Sequence, residues 1–218
     1  SAKGKYHAAA NKNEFYKLRK FRDLLMNVGI DCNEYHQKEL LNLLGTNFYK
    51  YAIKTSGGIL LNPQKLLQGL VFKICKNFSV YEDTKIEKFF FDREPVALTS
   101  NGFKIKARKI IIAVNAWLPE LKIKKNHSMP LMLTSSITRP LTNEECSEIG
   151  NPKPWGVLSV KPTGATVRYT NDHRIMIRNT SEPLLKSNIN FKKCIEKHKE
   201  GLLKRFPAFY NINFDDLW

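Results

Sequence analysis

The sequence predicts a mixed α+β fold. Three observations carry this reading: a helical N-terminal third, a middle of short β-rich runs around one long apolar run, and a later hairpin with strict alternation. The chain has 218 residues, 42% of them hydrophobic, enough for one substantial core or two modest ones.

The elements follow in order. Phe15, Leu18, Phe21, Leu25 and Val28 recur at spacings of three and four, which predicts a helix over 13–28 that Gly29 stops. Leu40, Leu41, Leu43 and Leu44 predict a short helix over 36–44 before Gly45. Ser56-Gly57-Gly58 reads as a turn. Asn62-Pro63 opens a third helix, because Asn caps and Pro suits the first helical position. Strands are predicted at Phe78 to Glu82, Ile86 to Phe91 and Val96 to Thr99, and Asn101-Gly102 turns the chain into Phe103 to Ala107. Lys109 to Val114 reads as a buried central strand, apolar on both faces. A strand is expected over Leu131 to Arg139, and Thr142 with Glu145 forms a capping box for a short helix ended by Gly150. Trp155 to Val160 and Thr163 to Thr170 are strands, and Asn171-Asp172 returns the chain into Arg174 to Arg178. A basic helix over 190–205 follows.

Composition narrows the function classes. No run of 18 apolar residues exists, so no transmembrane helix is expected. Ser1 to Lys5 lacks an apolar signal core and an initiating Met, as at a cut or processed end. Cys32, Cys75, Cys146 and Cys194 are scattered, which excludes zinc-knuckle spacing and fits reduced structural thiols in the cytoplasm. His7, His36, His127, His173 and His198 are far apart, and no metal site is expected. The net charge of +16 raises the question of nucleic acid, but the lysines are spread out. The dense runs, Lys17 to Arg22 and Lys122 to Lys125, are short, so the charge reads as a solvated basic surface. G-x-G-x-x-G, the P-loop, H-E-x-x-H and G-x-S-x-G are all absent from these residues.

Three segments carry functional interest beside a plain structural reading. Ala113-Val114-Asn115-Ala116-Trp117 ends the apolar run, where small residues let backbone approach a ligand; the plain alternative is a core strand and its loop. In the hairpin, alternation sets Arg168 and Thr170 against Val167 and Tyr169, and Arg174, Met176 and Arg178 against Ile175 and Ile177. Several arginines then share one face, which suits bidentate capture of a carboxylate or else a solvated, ion-paired surface. Ser56 to Pro63 leads a glycine turn into a capped helix start, an anion-binding arrangement or simple punctuation.

Read together, these segments resemble the FAD-dependent amine and D-amino-acid oxidoreductases, most closely the gamma-glutamylputrescine oxidoreductase type. The matching stretches keep the family's order: Gly4 to Ala10, Gly58 to Leu70, Val80 to Ile86, Ala107 to Trp117, Ser136 to Leu141, Trp155 to Asn179 and Arg205 to Trp218. The resemblance implies a mixed sheet of a flavin-oxidoreductase substrate domain plus the β-meander part of an incomplete FAD-binding domain. It divides the chain into 1–61, a helical segment opening the substrate domain; 62–119, partial FAD-binding domain; and 120–218, substrate domain. It implies FAD as cofactor, touched by Lys85 and Ile86 and by Ala113, Val114, Asn115, Ala116 and Trp117. Arg168, Tyr169, Arg174 and Arg178 are the substrate-side candidates; no residue is assigned as catalytic.

The implied reaction is hydride transfer from a C–H beside an amine to flavin. The glycine fingerprint that grips the pyrophosphate is missing from these residues, so the resemblance implies an internal fragment with weak or absent FAD binding, inactive alone. A separate polypeptide supplying the dinucleotide fold is one expected partner, and a small amine or amino acid the expected substrate. The alternative is a non-catalytic basic binding module derived from the substrate domain.

Overall fold

The computed structural model describes residues 3–74, 78–123, 130–161, 164–183 and 189–218. Cys75, His127, Thr163 and the second half of the Lys122 to Lys125 run lie outside the described residues. The chain divides into two compact units: Ser1–Leu61 with Met132–Glu182 and Asn188–Trp218, and Asn62–Leu131 with Pro183–Ser187.

The strands are β1 (Lys3–Ala9), β2 (Cys32–His36), β3 (Tyr51–Ile59), β4 (Ile86–Phe90), β5 (Val96–Thr99), β6 (Lys104–Lys106) and β7 (Leu131–Met132), then β8 (Ser136–Thr138), β9 (Trp155–Ser159), β10 (Thr166–Tyr169), β11 (Ile175–Arg178), β12 (Glu182–Pro183) and β13 (Phe214–Leu217). The helices are α1 (Phe15–Asn27), α2 (Gln37–Leu44), α3 (Pro63–Ile74), α4 (Asn143–Glu148) and α5 (Phe191–Leu203). The mixed α+β architecture is the one expected.

The first unit is built on an eight-stranded sheet in the order β13-β8-β11-β10-β9-β1-β3-β2. Its β1–β9 pairing is parallel, and the neighbouring pairs are antiparallel. Because side chains alternate along a strand, the ladder sorts residues onto two faces. One face carries Tyr6, Ala8, Ala52, Trp155, Val157, Val167, Tyr169, Ile175 and Ile177. Leu40 and Leu44 of α2, Cys146 of α4 and Leu202 of α5 pack in the same core. On the opposite face Leu18 of α1 packs with Ala9, Tyr51 and Ile53, and Phe15, Phe21 and Leu25 close the edge. That second core spans β1 to β3; farther along the face lie Gly156, Leu158, Arg168, Met176 and Arg178.

Local chemistry explains the helix ends. Thr142 accepts from the Glu145 backbone N–H at 3.2 Å, and Glu145 accepts from the Thr142 N–H at 2.8 Å, the reciprocal box expected for α4. Asn62 caps α3 by accepting from Lys65 N–H at 3.1 Å. Gly45 ends α2 at φ +70°, and a Cβ there would sit 2.5 Å from the Ile149 carbonyl oxygen. Both facts demand glycine. Gly45→Ala is therefore expected to cost about 2–3 kcal/mol, read as a lowered urea midpoint; an unchanged midpoint would contradict this packing.

Several expectations are corrected. Ser56-Gly57-Gly58 is not a turn: it continues β3, which is held by β1 through Ile59 across a bulge between Lys3 and Lys5. Pairing outweighs the glycines' weak strand preference, and the proposed glycine-turn anion site does not form. Phe78 to Glu82 forms no strand; Phe78, Val80 and Tyr81 are exposed, and Asp83 turns the backbone at φ 51°. Leu131 to Arg139 holds two short strands, β7 and β8, since the chain passes between units at 131–132. Lys109 to Val114 is neither a strand nor buried: Ile111 is 92% exposed. An apolar run becomes a central strand only with neighbours on both edges, and no strand pairs with it among the described residues.

The second unit has α3 and a three-stranded antiparallel sheet, β4-β5-β6. Its β5–β6 turn is the Asn101-Gly102 hairpin expected, with Gly102 at φ +86° and Phe103 N–H donating to Thr99 Oγ1 at 2.9 Å.

Candidate functional site

In the second unit, the β4-β5-β6 sheet, the extended run after it and a 3-10 helix over Asn115–Leu121 surround a cavity of ≈ 660 Å³. Its walls are mostly aliphatic: Ile86 of β4, Ile105 of β6, then Ile110, Ile112 and Val114. Trp117 lines it with half its surface still exposed, Lys85 and Lys109 bring cationic side chains to it, and Glu120 brings one carboxylate. Lys85, Ile86, Ala113, Val114 and Trp117, five of the seven cofactor-side residues expected from the sequence, thus line one cavity. Asn115 and Ala116 open the adjoining 3-10 helix. Asn115 sits at φ 47°, a left-handed conformation that asparagine tolerates better than most side chains. It allows the chain to reverse at the cavity wall, where Trp117 N–H bonds to Val114 O at 3.0 Å.

In the first unit, the ladder places Thr166 opposite Arg178 and Arg168 opposite Met176. Arg168 and Arg178 are therefore diagonal neighbours on one face. Arg174 lies on the same face, but its guanidinium is already engaged: it pairs with Asp215 at 2.7 Å and Asp172 at 3.1 Å and donates to Thr138 O at 3.0 Å. Tyr169 points to the other face, buried in the main core, with its hydroxyl 2.8 Å from His173 Nδ1. Burial raises the Tyr169 phenol above its ordinary range, and the Cys146 thiol at 3.5 Å adds to this. Sequence alternation alone sets Tyr169 against the arginines. Asp172 sits in the expected turn beside Arg174, whereas Asp215 comes from a strand, β13, that sequence reasoning missed.

All 20 acidic residues lie among the described residues, and no ion pair joins any of them to Arg168 or Arg178. Arg178 donates to Thr166 Oγ1 at 2.8 Å. Burial holds the Arg168 guanidinium below the ordinary arginine range, and the like charge of Arg178 adds to it.

A family model described as FAD dependent oxidoreductase matches residues 1–217. The chain belongs to this family. Among solved structures, it is similar to glycine oxidase from Geobacillus kaustophilus, at a TM-score of 0.79 and 15% identity, covering 100% of this chain and 58% of that one. L-proline dehydrogenase from P. horikoshii gives 0.78 at 16% identity, with 100% and 59% covered. Iminodiacetate oxidase from Chelativorans sp. BNC1 gives 0.70 at 15% identity, again covering 100% and 59%. At these identities the likeness establishes the fold, and the chain spans less than three-fifths of each of these structures. No curated protein sequence matches the chain.

FAD is the cofactor of the oxidoreductase family, and the cavity residues fit part of it. A mostly aliphatic cavity of ≈ 660 Å³ beside an indole suits a flat aromatic base, and two lysines suit nearby phosphate. The residues that would hold the group are Lys85, Ile86, Val114 and Trp117 with the backbone at Asn115. No helix of the described residues is long and apolar enough to cross a membrane.

Proposed function

We propose that the chain forms the substrate-side sheet and the β-meander of an FAD-dependent enzyme that oxidises an amine or an amino acid. The family match over 1–217 carries this reading, and the convergence of the expected residues on one cavity supports it. When bound, FAD supplies the hydride acceptor for a C–H bond beside an amine nitrogen. The chain's own residues bind and orient. Ile86, Val114 and Trp117 give the cavity apolar surface for the cofactor, Lys85 and Lys109 offset phosphate charge, and the arginine face of β10–β11 holds the substrate. In this reading 62–119 belongs to the FAD-binding domain, and 1–61 and 120–218 to the substrate domain.

The ordered stretch Trp155 to Asn179 supports the gamma-glutamylputrescine oxidoreductase-like branch. The free thiols Cys32, Cys146 and Cys194 support a cytoplasmic setting. Because no G-x-G-x-x-G occurs in these 218 residues, the chain by itself holds FAD weakly and does not turn over. A segment carrying that motif, in the same or another polypeptide, completes the site.

Flavin fluorescence tests this. Titrating the chain into FAD is expected to give saturable but weak quenching. Trp117→Ala should weaken it by roughly tenfold, the scale of one lost aromatic stack on a base. Absence of any saturable change, or equal binding by Trp117→Ala, would sink the cofactor assignment.

A further inference from the structure

We propose that the cavity where β1, β2 and β3 end together binds a phosphomonoester carried on a flat ring, a ligand site that is independent of the flavin reading. The three strands are neighbours, and one rung of the ladder joins Ala9, Tyr51 and His36. The segments beyond that rung therefore meet at one place. They surround a cavity of ≈ 620 Å³, a size that suits a small molecule. Asn11, Lys12 and Asn13 come from the turn after β1, His36 and Gln37 from the start of α2, and Lys50 from the residue before β3. All of them belong to the first unit.

Charge selects an anion. No acidic side chain lines the cavity. The acids nearest in sequence are already engaged: Glu14 pairs with Lys161 at 3.0 Å, Glu39 accepts from His36 N–H at 2.9 Å, and Glu34 holds Arg22 and the Tyr51 hydroxyl. Neither Lys12 nor Lys50 has an ion-pair partner, although every Asp and Glu of the chain is among the described residues. Lys50 is also held in place: its ammonium donates to Asn47 O at 3.4 Å and keeps further protons for a ligand. An ammonium is a compact point charge that suits phosphate. The planar fork that suits a lone carboxylate is missing, because no arginine lines the cavity. The amides of Asn11 and Asn13 add neutral donors at the rim.

The wall selects the ring. Phe15 lines the cavity and leans on Tyr51 at a ring distance of 4.9 Å, and His36 lies 5.6 Å from the same ring. Tyr51 is fully buried, so the core backs both rings. Two aromatic side chains set on a buried third give a flat group a stacking surface beside the two ammonium groups. Lysines on an ordinary solvated surface have no such wall.

The test uses the whole purified chain at about pH 8, where a phosphomonoester carries two charges. Histidine ring C–H signals are followed by NMR at constant ionic strength. Phenyl phosphate is the probe, and phenol and inorganic phosphate are its two halves. Phenyl phosphate is expected to move the His36 signal saturably and to leave those of His173 and His198 in place. Phosphate should need a several-fold higher concentration, for want of stacking, and phenol should give no saturable shift. Lys12→Ala and Lys50→Ala should each weaken phenyl phosphate by roughly tenfold, the loss of a charge-assisted bond. Phe15→Leu should weaken phenyl phosphate to the level of phosphate and leave phosphate itself unchanged. An unmoved signal from buried His198 reports that each variant is folded. A shift that stays linear in concentration, unchanged affinity in both lysine variants, or phenol binding as tightly as phenyl phosphate overturns the site. Loss of the His36 response in Trp117→Ala overturns it as well, because the probe would then sit in the cavity of the second unit.

Discussion

Trp155→Ala is expected to remove about 3–5 kcal/mol of folding stability, a large share of what a domain possesses. Trp155 opens β9 at 3% exposure and lies in the main core between Tyr169, at a ring distance of 6.4 Å, and Phe206, stacked at 6.5 Å. Truncation there leaves a cavity bounded by the sheet on one side and the segment after α5 on the other, and neither can collapse into it. The indole also carries a cost. Its Nε1 is buried without a hydrogen-bond partner among the described residues. Trp155→Phe removes that orphan donor while keeping most of the aromatic area, so the two effects nearly cancel and a change within about 1 kcal/mol is expected. Urea unfolding followed by far-UV circular dichroism reads both variants. A Phe variant as unstable as the Ala variant would mean that the indole nitrogen has a partner after all.

The same residue shows what the sequence could reveal about the fold. Trp155, Val157, Val167, Tyr169, Ile175 and Ile177 alternate so regularly that both the strands and their buried face follow from pattern alone. The amphipathic helices α1 and α2 follow from spacing, α3 and α4 from their caps, and α5 is the basic helix expected over 190–205. Strands β1 and β3 are hidden for the opposite reason. Lys3–Ala9 reads KGKYHAA, poor in β-formers, and becomes a central strand because β3 and β9 pair with its two edges. Cys32–His36 and Phe214–Leu217 are sheet-edge strands with little apolar pattern. The Lys109 to Val114 run fails in the other direction: its composition fits a buried strand, but burial depends on neighbours that a local pattern does not contain.

The candidate site divides similarly. Alternation brings Arg168, Arg174 and Arg178 to one face, and the ladder agrees. Which of them is free to bind depends on Asp172, adjacent in sequence, and on Asp215, 41 residues away. Only the pairing of β13 with β8 brings the second acid to Arg174. The cavity of the second unit joins Lys85 and Ile86 to Val114 and Trp117 across about 30 residues of chain, a juxtaposition made by the sheet and invisible to spacing.

Between pH 6.5 and 4.5 the chain is expected to lose stability through two histidines. His198 of α5 is fully buried, with Nδ1 2.8 Å from Ser136 Oγ and Nε2 3.0 Å from Thr180 Oγ1. Hydroxyl groups satisfy a neutral imidazole, but none of these partners is a carboxylate able to compensate an imidazolium. Burial therefore holds His198 below its ordinary value of 6.5. His7 of β1 packs edge-on against Phe21 at 4.9 Å; burial, with Lys5 adding to it, lowers its pKa to about 4. Both groups bind protons less readily in the folded chain than in the unfolded one. Their contribution is fully present above pH 6.5 and is lost as the pH falls toward the folded values, because the unfolded state then takes up more protons. Each complete proton difference gives a slope of about 1.4 kcal/mol per pH unit. The carboxylates Glu34, Glu145 and Asp172 are also held low, but their contributions fade only once the pH drops to their ordinary values of 4.5 and 3.8, below the histidine window. Urea midpoints at about pH 7, 6 and 5 are expected to fall progressively. The double variant His7→Phe with His198→Gln, which keeps hydrogen-bonding capacity at α5, should flatten that fall. A double variant with the parent's slope would assign the acid sensitivity to other groups and place both imidazoles in contact with water.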